Sequence, residues 1–329
     1  MSASTKLLKG CIMTKKASEI LGAIEHSKNV LVCGHIRPDG DCIGSALAVR
    51  RICEKLGKNA DAVCDADKPA AFFYLPDYDR FCTRKFDNYD LFIAVDCADE
   101  KRLGEYRRYL DSAKNSVDID HHPTNVGYAK INCVEPTSSS VCALLFALFK
   151  DSGLIDKDIA EMLYTGVSTD TGHFMHSNTD TRVFETAAAL CSYGIDVGRI
   201  NHDLYCNKSA NKMRLTARAI DGIRLHADGK IALMTITLDD LGECGCDTSD
   251  TEGLIDYASS ISGVRISIAM CEQPGNLFRV SLRSVSADVS AVAGVFGGGG
   301  HKLASGCIIN GNRYDVAERI VKAATAALS

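Results

Sequence analysis

The stretch Val30-Leu-Val-Cys-Gly-His35-Ile-Arg-Pro-Asp39-Gly-Asp41-Cys-Ile-Gly44-Ser45 decides how this chain is read. Its first four residues are apolar, the pattern of a short strand covered on both faces, and Gly34-His35 ends it. Pro38 and Gly40 are residues that a tight turn uses. From Ser45 onward Leu47, Val49, Ile52 and Leu56 recur at helical spacing, with Gly57 as a stop. Strand, polar turn and helix in that order open a parallel α/β sheet, whose ligand site lies beyond the carboxyl ends of its strands. His35, Asp39 and Asp41 occupy that place and can face one cavity. Capping of the following helix is a second use for the two Asp residues.

Working outward, apolar runs at 59–64, at 91–95 before Asp96 and at 116–119 before Asp120-His121-His122 repeat the same arrangement. Helical patterns follow at 138–150 and 158–167, and Asp170 stands in a loop between Gly166 and Gly172. A helix at 181–193 closes this unit, and the polar segment 196–214 is expected as a linker. Beyond it come strand-like runs at 231–238, 264–270 and 277–282, short helices at 252–259 and 288–295, a glycine run from Gly297 to Gly300 before His301, and a final helix at 314–328. The expected fold class is α/β: a parallel-sheet domain at 1–195 and a smaller α/β domain at 215–329, with the active-site cleft between them. No fixed-period repeat is visible.

Composition narrows the partners. The 329 residues carry 37 basic and 42 acidic side chains, a net charge of −5, so no general basic excess is present to hold long duplex nucleic acid without regard to sequence. The fifteen Cys contain no Cys-x-x-Cys pair and lie in apolar runs, which fits free thiols in a reducing compartment. Lys6, Lys9, Lys15 and Lys16 are not followed by an apolar stretch of signal-peptide length, and no run of eighteen apolar residues occurs. The expectation is a soluble cytoplasmic protein with no membrane partner.

The four polar clusters suggest their chemistry. If the strands are neighbours, the loops bring several carboxylates and two or three imidazoles to one point. Crowded carboxylates repel and raise one another's pKa unless cations compensate, which points to bound metal. A donor set rich in oxygen, with some nitrogen and no thiolate, suits Mn²⁺, Co²⁺ or Mg²⁺ better than structural zinc. Cys42 and Cys97 read as small apolar spacers. In the second domain, Gly298, Gly299 and Gly300 can present N–H groups to a phosphate or a base edge, although a flexible turn uses the same residues. Arg283, in Val280-Ser-Leu-Arg-Ser284, is either a bidentate phosphate clamp or a surface arginine.

The motifs His35-x-x-Pro-Asp39-Gly-Asp41-x-x-Gly44-Ser45, Asp96, Asp120-His121-His122 and Thr169-Asp170-Thr-Gly172 resemble the four motifs of the DHH phosphoesterases. Gly297-Gly-Gly-Gly-His301-Lys-Leu-Ala-Ser305-Gly306 resembles the glycine-rich signature of the DHH-associated C-terminal domain. The likeness covers nearly the whole chain, no motif residue is missing, and the order matches the compact two-domain nanoRNases and 3′-phosphoadenosine 5′-phosphate phosphatases of that family. It implies two divalent ions, Mn²⁺ first: one held by His35, Asp39 and Asp96, the other by Asp41, Asp96, His121 and Asp170, with Asp96 bridging and a shared hydroxide as nucleophile. It implies that Asp120 orients the motif and His122 faces the substrate phosphate. Arg283, Gly298, Gly299, Gly300 and His301 are expected to hold the distal nucleotide. The implied substrate is a short RNA or linear dinucleotide, and 3′-phosphoadenosine 5′-phosphate is a second candidate; a homodimer is compatible. Cyclic-dinucleotide phosphodiesterases, family II inorganic pyrophosphatases and a nucleotide-binding module without turnover are the rival readings.

Overall fold

The computed structural model describes residues 15–66 and 68–328, so Lys6 and Lys9 lie outside the described residues. The chain divides into two compact units between Asn207 and Lys208. In the first, helix α1 (15–25) precedes β1 (Asn29–Cys33), α2 (Gly40–Lys55), β2 (Asn59–Val63), β3 (Leu91–Val95), α3 (Arg107–Ser112), β4 (Asn115–Asp120), β5 (Ile131–Val134), α4 (Val141–Phe149), α5 (Lys157–Asp170), α6 (Thr181–Cys191) and α7 (Val197–Asn201). Its five strands pair in the order β2-β1-β3-β4-β5, all parallel.

Parallel strands with both faces covered read as unbroken apolar runs, and β3, Leu-Phe-Ile-Ala-Val, is buried at every position. Val30, Val32, Ile93, Val117 and Ile119 join one core with α2, α4 and α5. Leu31, Cys33, Phe92 and Ala94 turn to a second core beside Tyr106 and Leu110. The strand order reverses on either side of β1, so the ends of β1 and β3 lie at the switch point where open α/β sheets bind ligands.

Several boundaries differ from the sequence expectation. Helix α2 starts five residues earlier than Ser45, because the Asp39 side chain accepts the N–H groups of Asp41 and Cys42 and caps the helix at Gly40. Helix α5 runs on through Asp170, which is therefore the last helical residue and not part of a loop. Strand β5, whose residues are only partly covered, was not evident as a strand. Within 196–214, expected as a linker, α7 is capped by Asp196 and buries Ile200 in the first core, a π-helical turn spans His202–Cys206, and α8 begins at Ala210. Ile200, Val197 and Leu204 on the first core and the Arg199–Glu161 ion pair order a segment that composition alone marks as polar.

The second unit holds α8 (Ala210–Asp221), β6 (Arg224–His226), β7 (Ile231–Ile236), α9 (Leu238–Cys244), α10 (Ile255–Ser259), β8 (Ile266–Gln273), β9 (Leu277–Ser284), α11 (Val289–Gly294), β10 (Gly299–His301), β11 (Ala304–Asn310) and α12 (Arg313–Ala326). Its sheet has the order β10-β11-β9-β8-β7-β6, antiparallel except for the parallel β7–β8 pair. Helices α11 and α12 pack on one face. Helices α8, α9 and α10 pack on the other face, against Ala232, Met234, Ile236 and Cys271. No helix among the described residues is long and apolar enough to cross a membrane.

Candidate metal centre

The site is built on five elements of the first unit. His35 follows β1, Asp41 is the second residue of α2, Asp96 follows β3, and His121 and His122 follow β4; Asp170 ends α5. Asp96 takes a left-handed backbone (φ 55°) and donates its N–H to Ile119 O at 3.1 Å, which turns its side chain inward at the end of the strand. Potential ligand atoms within 4.8 Å of one another form three overlapping groups: His35, Cys42 and Asp96; Asp96, His121 and His122; and Asp41, His121 and Asp170.

The imidazoles carry the decisive detail. His35 Nδ1 lies 2.7 Å from the carbonyl of Ile36, and His121 Nδ1 lies 3.2 Å from the carbonyl of Ser138. A carbonyl only accepts, so each ring carries a proton on Nδ1 and, when neutral, directs an Nε2 lone pair elsewhere. His35 Nε2 is 3.3 Å from Asp96 Oδ2, and burial lowers the pKa of His35 despite nearby Asp39, leaving the ring neutral. His121 Nε2 is 3.7 Å from Asp96 Oδ1 and 3.5 Å from Asp170 Oδ2. Lone pairs facing carboxylate oxygens repel unless a cation lies between them, and imidazoles pinned through Nδ1 to a carbonyl are how metal-binding histidines are oriented.

The carboxylates tell the same story. Burial, then the charges of Asp41, Asp39, Asp170 and Asp120, push the Asp96 pKa well up; burial with Asp41 and Asp39 does the same to Asp170. Burial also raises Asp41, against the pull of His121. Asp41 is held rigidly nonetheless: its Oδ2 accepts Val141 N–H at 2.7 Å and its Oδ1 accepts Cys142 N–H at 2.9 Å, at the N-terminus of α4. Without a cation this cluster favours protonation; divalent ions remove that penalty, and the residues present fit such ions.

Asp39 stands apart from the other expected ligands. It is exposed, one oxygen caps α2, and it is in none of the three groups, although its charge reaches His35, Asp41, Asp96 and Asp170. Cys42, read as a spacer, lies in the His35 group, but burial and the charges of Asp96 and Asp39 raise its pKa well up, so it remains a thiol. Asp120 is fully buried and bonds His122 Nδ1 at 2.7 Å through Oδ1. Burial would raise its pKa, but the bonds from His122 and Asn125 bring it below the ordinary value. His122 Nδ1 also lies 3.7 Å from Asp96 Oδ1.

Sequence reasoning missed Asn125, which bonds both Asp118 and Asp120, and Asn178, which donates to the carbonyls of Ser139 and Asp170 behind the site. Asn125 lies only three residues beyond His122, a signal that was available.

In the second unit, Arg283 and His301 both pair with Ala304, from the two sides of β11. They therefore share one row and one face, with Cα atoms about 10 Å apart at two strand spacings. Both are exposed. The glycines have a reason besides ligand approach. A Cβ on Gly298 would strike the carbonyl of Gly306 and the side chain of Cys307, and Gly300, at φ 142°, packs against the backbone of Ala304 and Ser305. Gly299 has open space where a Cβ would stand. Of the run expected as a turn or a ligand loop, Gly297 lies in a turn, and Gly299 and Gly300 form edge strand β10 with His301, seated on β11.

A model of the DHH family, N-terminal domain, matches residues 29–167. The chain is 30% identical over 312 residues, 93% of its own length and 91% of the relative's, to the bifunctional oligoribonuclease and PAP phosphatase NrnA of Thermus thermophilus. It belongs to the DHH family. A second DHH relative, the bifunctional oligoribonuclease and PAP phosphatase NrnA of Bacillus subtilis, is 29% identical over 313 residues, 92% of this chain and 96% of that one. The crystal structure of an exopolyphosphatase-related protein from Bacteroides fragilis superposes with a TM-score of 0.89 at 25% identity, covering 94% of this chain and 95% of that one. This DHH likeness thus spans both units.

Proposed function

We propose that the chain is a metal-dependent phosphoester hydrolase that cuts short oligoribonucleotides and linear dinucleotides to mononucleotides and removes the 3′-phosphate of 3′-phosphoadenosine 5′-phosphate. The observation that carries this is the pair of Nε2 lone pairs, from His35 and His121, converging on the buried Asp96 carboxylate beside Asp41 and Asp170. That arrangement supports two cation positions sharing Asp96. The oxygen-rich donors with a protonated Cys42 support Mn²⁺, with Mg²⁺ or Co²⁺ as substitutes. Bound there, divalent ions supply a more acidic water and neutralise the charge that builds on the transferring phosphoryl group.

The residues of the chain do the rest. Asp41, clamped by two backbone N–H groups, and His35 and His121, pinned through Nδ1, keep the donor atoms in place without rearrangement. His122, with Nδ1–H donated to Asp120, leaves Nε2 as the atom that, when the ring is doubly protonated, gives its proton to the leaving oxygen. Arg283 and His301, on one row of the second sheet, grip the distal nucleotide, Arg283 through a phosphate.

One panel tests the reading: the full chain with Mn²⁺ against linear diadenylate, 3′-phosphoadenosine 5′-phosphate, pyrophosphate and cyclic diadenylate. Turnover of the first two supports it. Turnover of pyrophosphate alone, of the cyclic dinucleotide alone, or of nothing overturns it in favour of a pyrophosphatase, a cyclic-dinucleotide phosphodiesterase or a binding module.

A further inference from the structure

Asn125 lies in the turn that follows the His121-His122 pair, with its N–H bonded to His122 O at 3.1 Å. Its side-chain Oδ1 accepts the N–H of Gly127 at 2.7 Å, which fixes the amide so that Nδ2 points the other way. Nδ2 is 2.7 Å from Asp120 Oδ2 and 2.8 Å from Asp118 Oδ2. Each of its two hydrogens therefore has a carboxylate acceptor. Asp118 and Asp120 are both fully buried, and two residues apart on β4 they share one face.

The consequence falls on Asp120. Its Oδ1 takes His122 Nδ1 at 2.7 Å, and its Oδ2 takes Asn125. A carboxylate held at one oxygen rotates about its Cβ–Cγ bond, whereas one held at both oxygens, here by His122 and by Asn125 three residues further along the same loop, does not. Asn125 in turn is fixed at three points: Gly127 N–H, Asp118 and Asp120. A half-buried amide with every polar atom engaged has one orientation.

We propose that Asn125, anchored on Asp118, is a positioning residue for His122: it locks the Asp120 carboxylate in the orientation that keeps His122 in its Nδ1–H tautomer with Nε2 presented to substrate. The proposal rests on the reading of His122 as the group that serves the leaving oxygen. Asp118 supplies an acceptor in this scheme, so a neutral amide oxygen at the same place serves Asn125 equally well, whereas an apolar side chain of similar size does not.

Two measurements test this on the full chain. With Mn²⁺ and linear diadenylate, Asn125→Ala lowers kcat by about 10- to 100-fold, the usual cost of removing a group that orients a metal-site residue, while KM and bound metal per chain stay at wild-type values. Asp118→Val lowers kcat in the same direction, and Asp118→Asn restores it. Separately, nitrogen-15 NMR of labelled histidines in the Mg²⁺-loaded chain shows His122 as a single Nδ1–H tautomer in the wild type and as a mixture in Asn125→Ala. An Asn125→Ala chain with wild-type kcat and an unchanged tautomer overturns the proposal, as does a loss confined to KM or to bound metal. If the wild type turns over no phosphoester, the hydrolase reading fails, and the tautomer comparison still decides whether Asn125 positions His122.

Discussion

The two sheets place functional side chains by different rules. In the first unit all five strands are parallel, so their carboxyl ends fall on one edge and the loops after β1, β3 and β4 deliver His35, Asp96, His121 and His122 to one spot. In the second unit the strands are mostly antiparallel, and Arg283 and His301 are brought side by side by register, on a row that crosses β9, β11 and β10. The first arrangement concentrates carboxylates, whose charge protonation or bound cations offset. The second spreads Arg283 and His301 along an exposed face, where pairing geometry sets their spacing. Damage to the first should therefore read out in metal and kcat, damage to the second in KM.

The largest expected effect is at Asp96, the proposed shared ligand. Asp96→Asn removes the carboxylate that both histidine Nε2 atoms face, and at several kcal/mol of lost electrostatic stabilisation kcat falls by about 10³-fold or more. Metal analysis checks the cause: bound Mn²⁺ per chain falls in parallel, and full occupancy with full turnover would falsify the ligand assignment.

Next comes the row in the second sheet. Loss of a charged hydrogen bond of about 1.5–3 kcal/mol in Arg283→Ala raises KM for a linear dinucleotide by about 10- to 100-fold, with metal content unchanged. Steady-state kinetics with a dinucleotide and with a mononucleotide ester separate the two, since only the former reaches the distal position. Equal changes for both substrates would break the division of labour between the sheets.

Gly300→Ala probes register. At φ 142° an alanine is strained, and its Cβ meets the backbone of β11. The expected outcome is a destabilised β10 and a several-fold rise in KM, roughly matching a cost of about 1 kcal/mol, with kcat at saturation preserved. Hydrogen exchange at the β10–β11 amides reads the structural part.

The smallest effect concerns pH. Burial pushes the Asp118 carboxyl up to about 7. A folded-state value raised above the unfolded carboxylate value of about 3.9 means that the folded chain binds the extra proton, so its stabilising effect is complete below about pH 4 and is lost as pH rises through 7. Asp118→Asn should flatten the decline of Tm across that window in the metal-free chain. An unchanged Tm–pH slope would show that Asp118 is ionised throughout.

Much of this was legible in the chain. Strand β3 is an unbroken apolar run ended by Asp, and its bounds follow from composition, because a strand covered on both faces has no polar position to hide. Helix α2 was harder: the Asp39 cap and the ligand motif occupy the same residues, and a motif reading assigns Asp39 to metal whereas the structure uses one of its oxygens on backbone N–H groups. Asp170 read as a loop residue because Gly172 and two threonines signal a turn, yet tertiary packing carries α5 through it. The short strands β5 and β10 gave no usable period, and ladder pairing formed them.

The sequence by itself determined the alternation of strand and helix and the residue types at the carboxyl ends of the strands, since periodicity and local charge are properties of neighbouring residues. Only the tertiary structure decided which nitrogen of His35 and of His121 carries the proton, that Asp41 is clamped by α4, and that Asn125 joins Asp118 to Asp120. Those facts depend on carbonyls and amides up to 101 residues distant along the chain. The partners of Asp41 and His121 are chosen by which elements lie side by side, and those of His35 and Asn125, although near in sequence, by how the chain turns after β1 and β4.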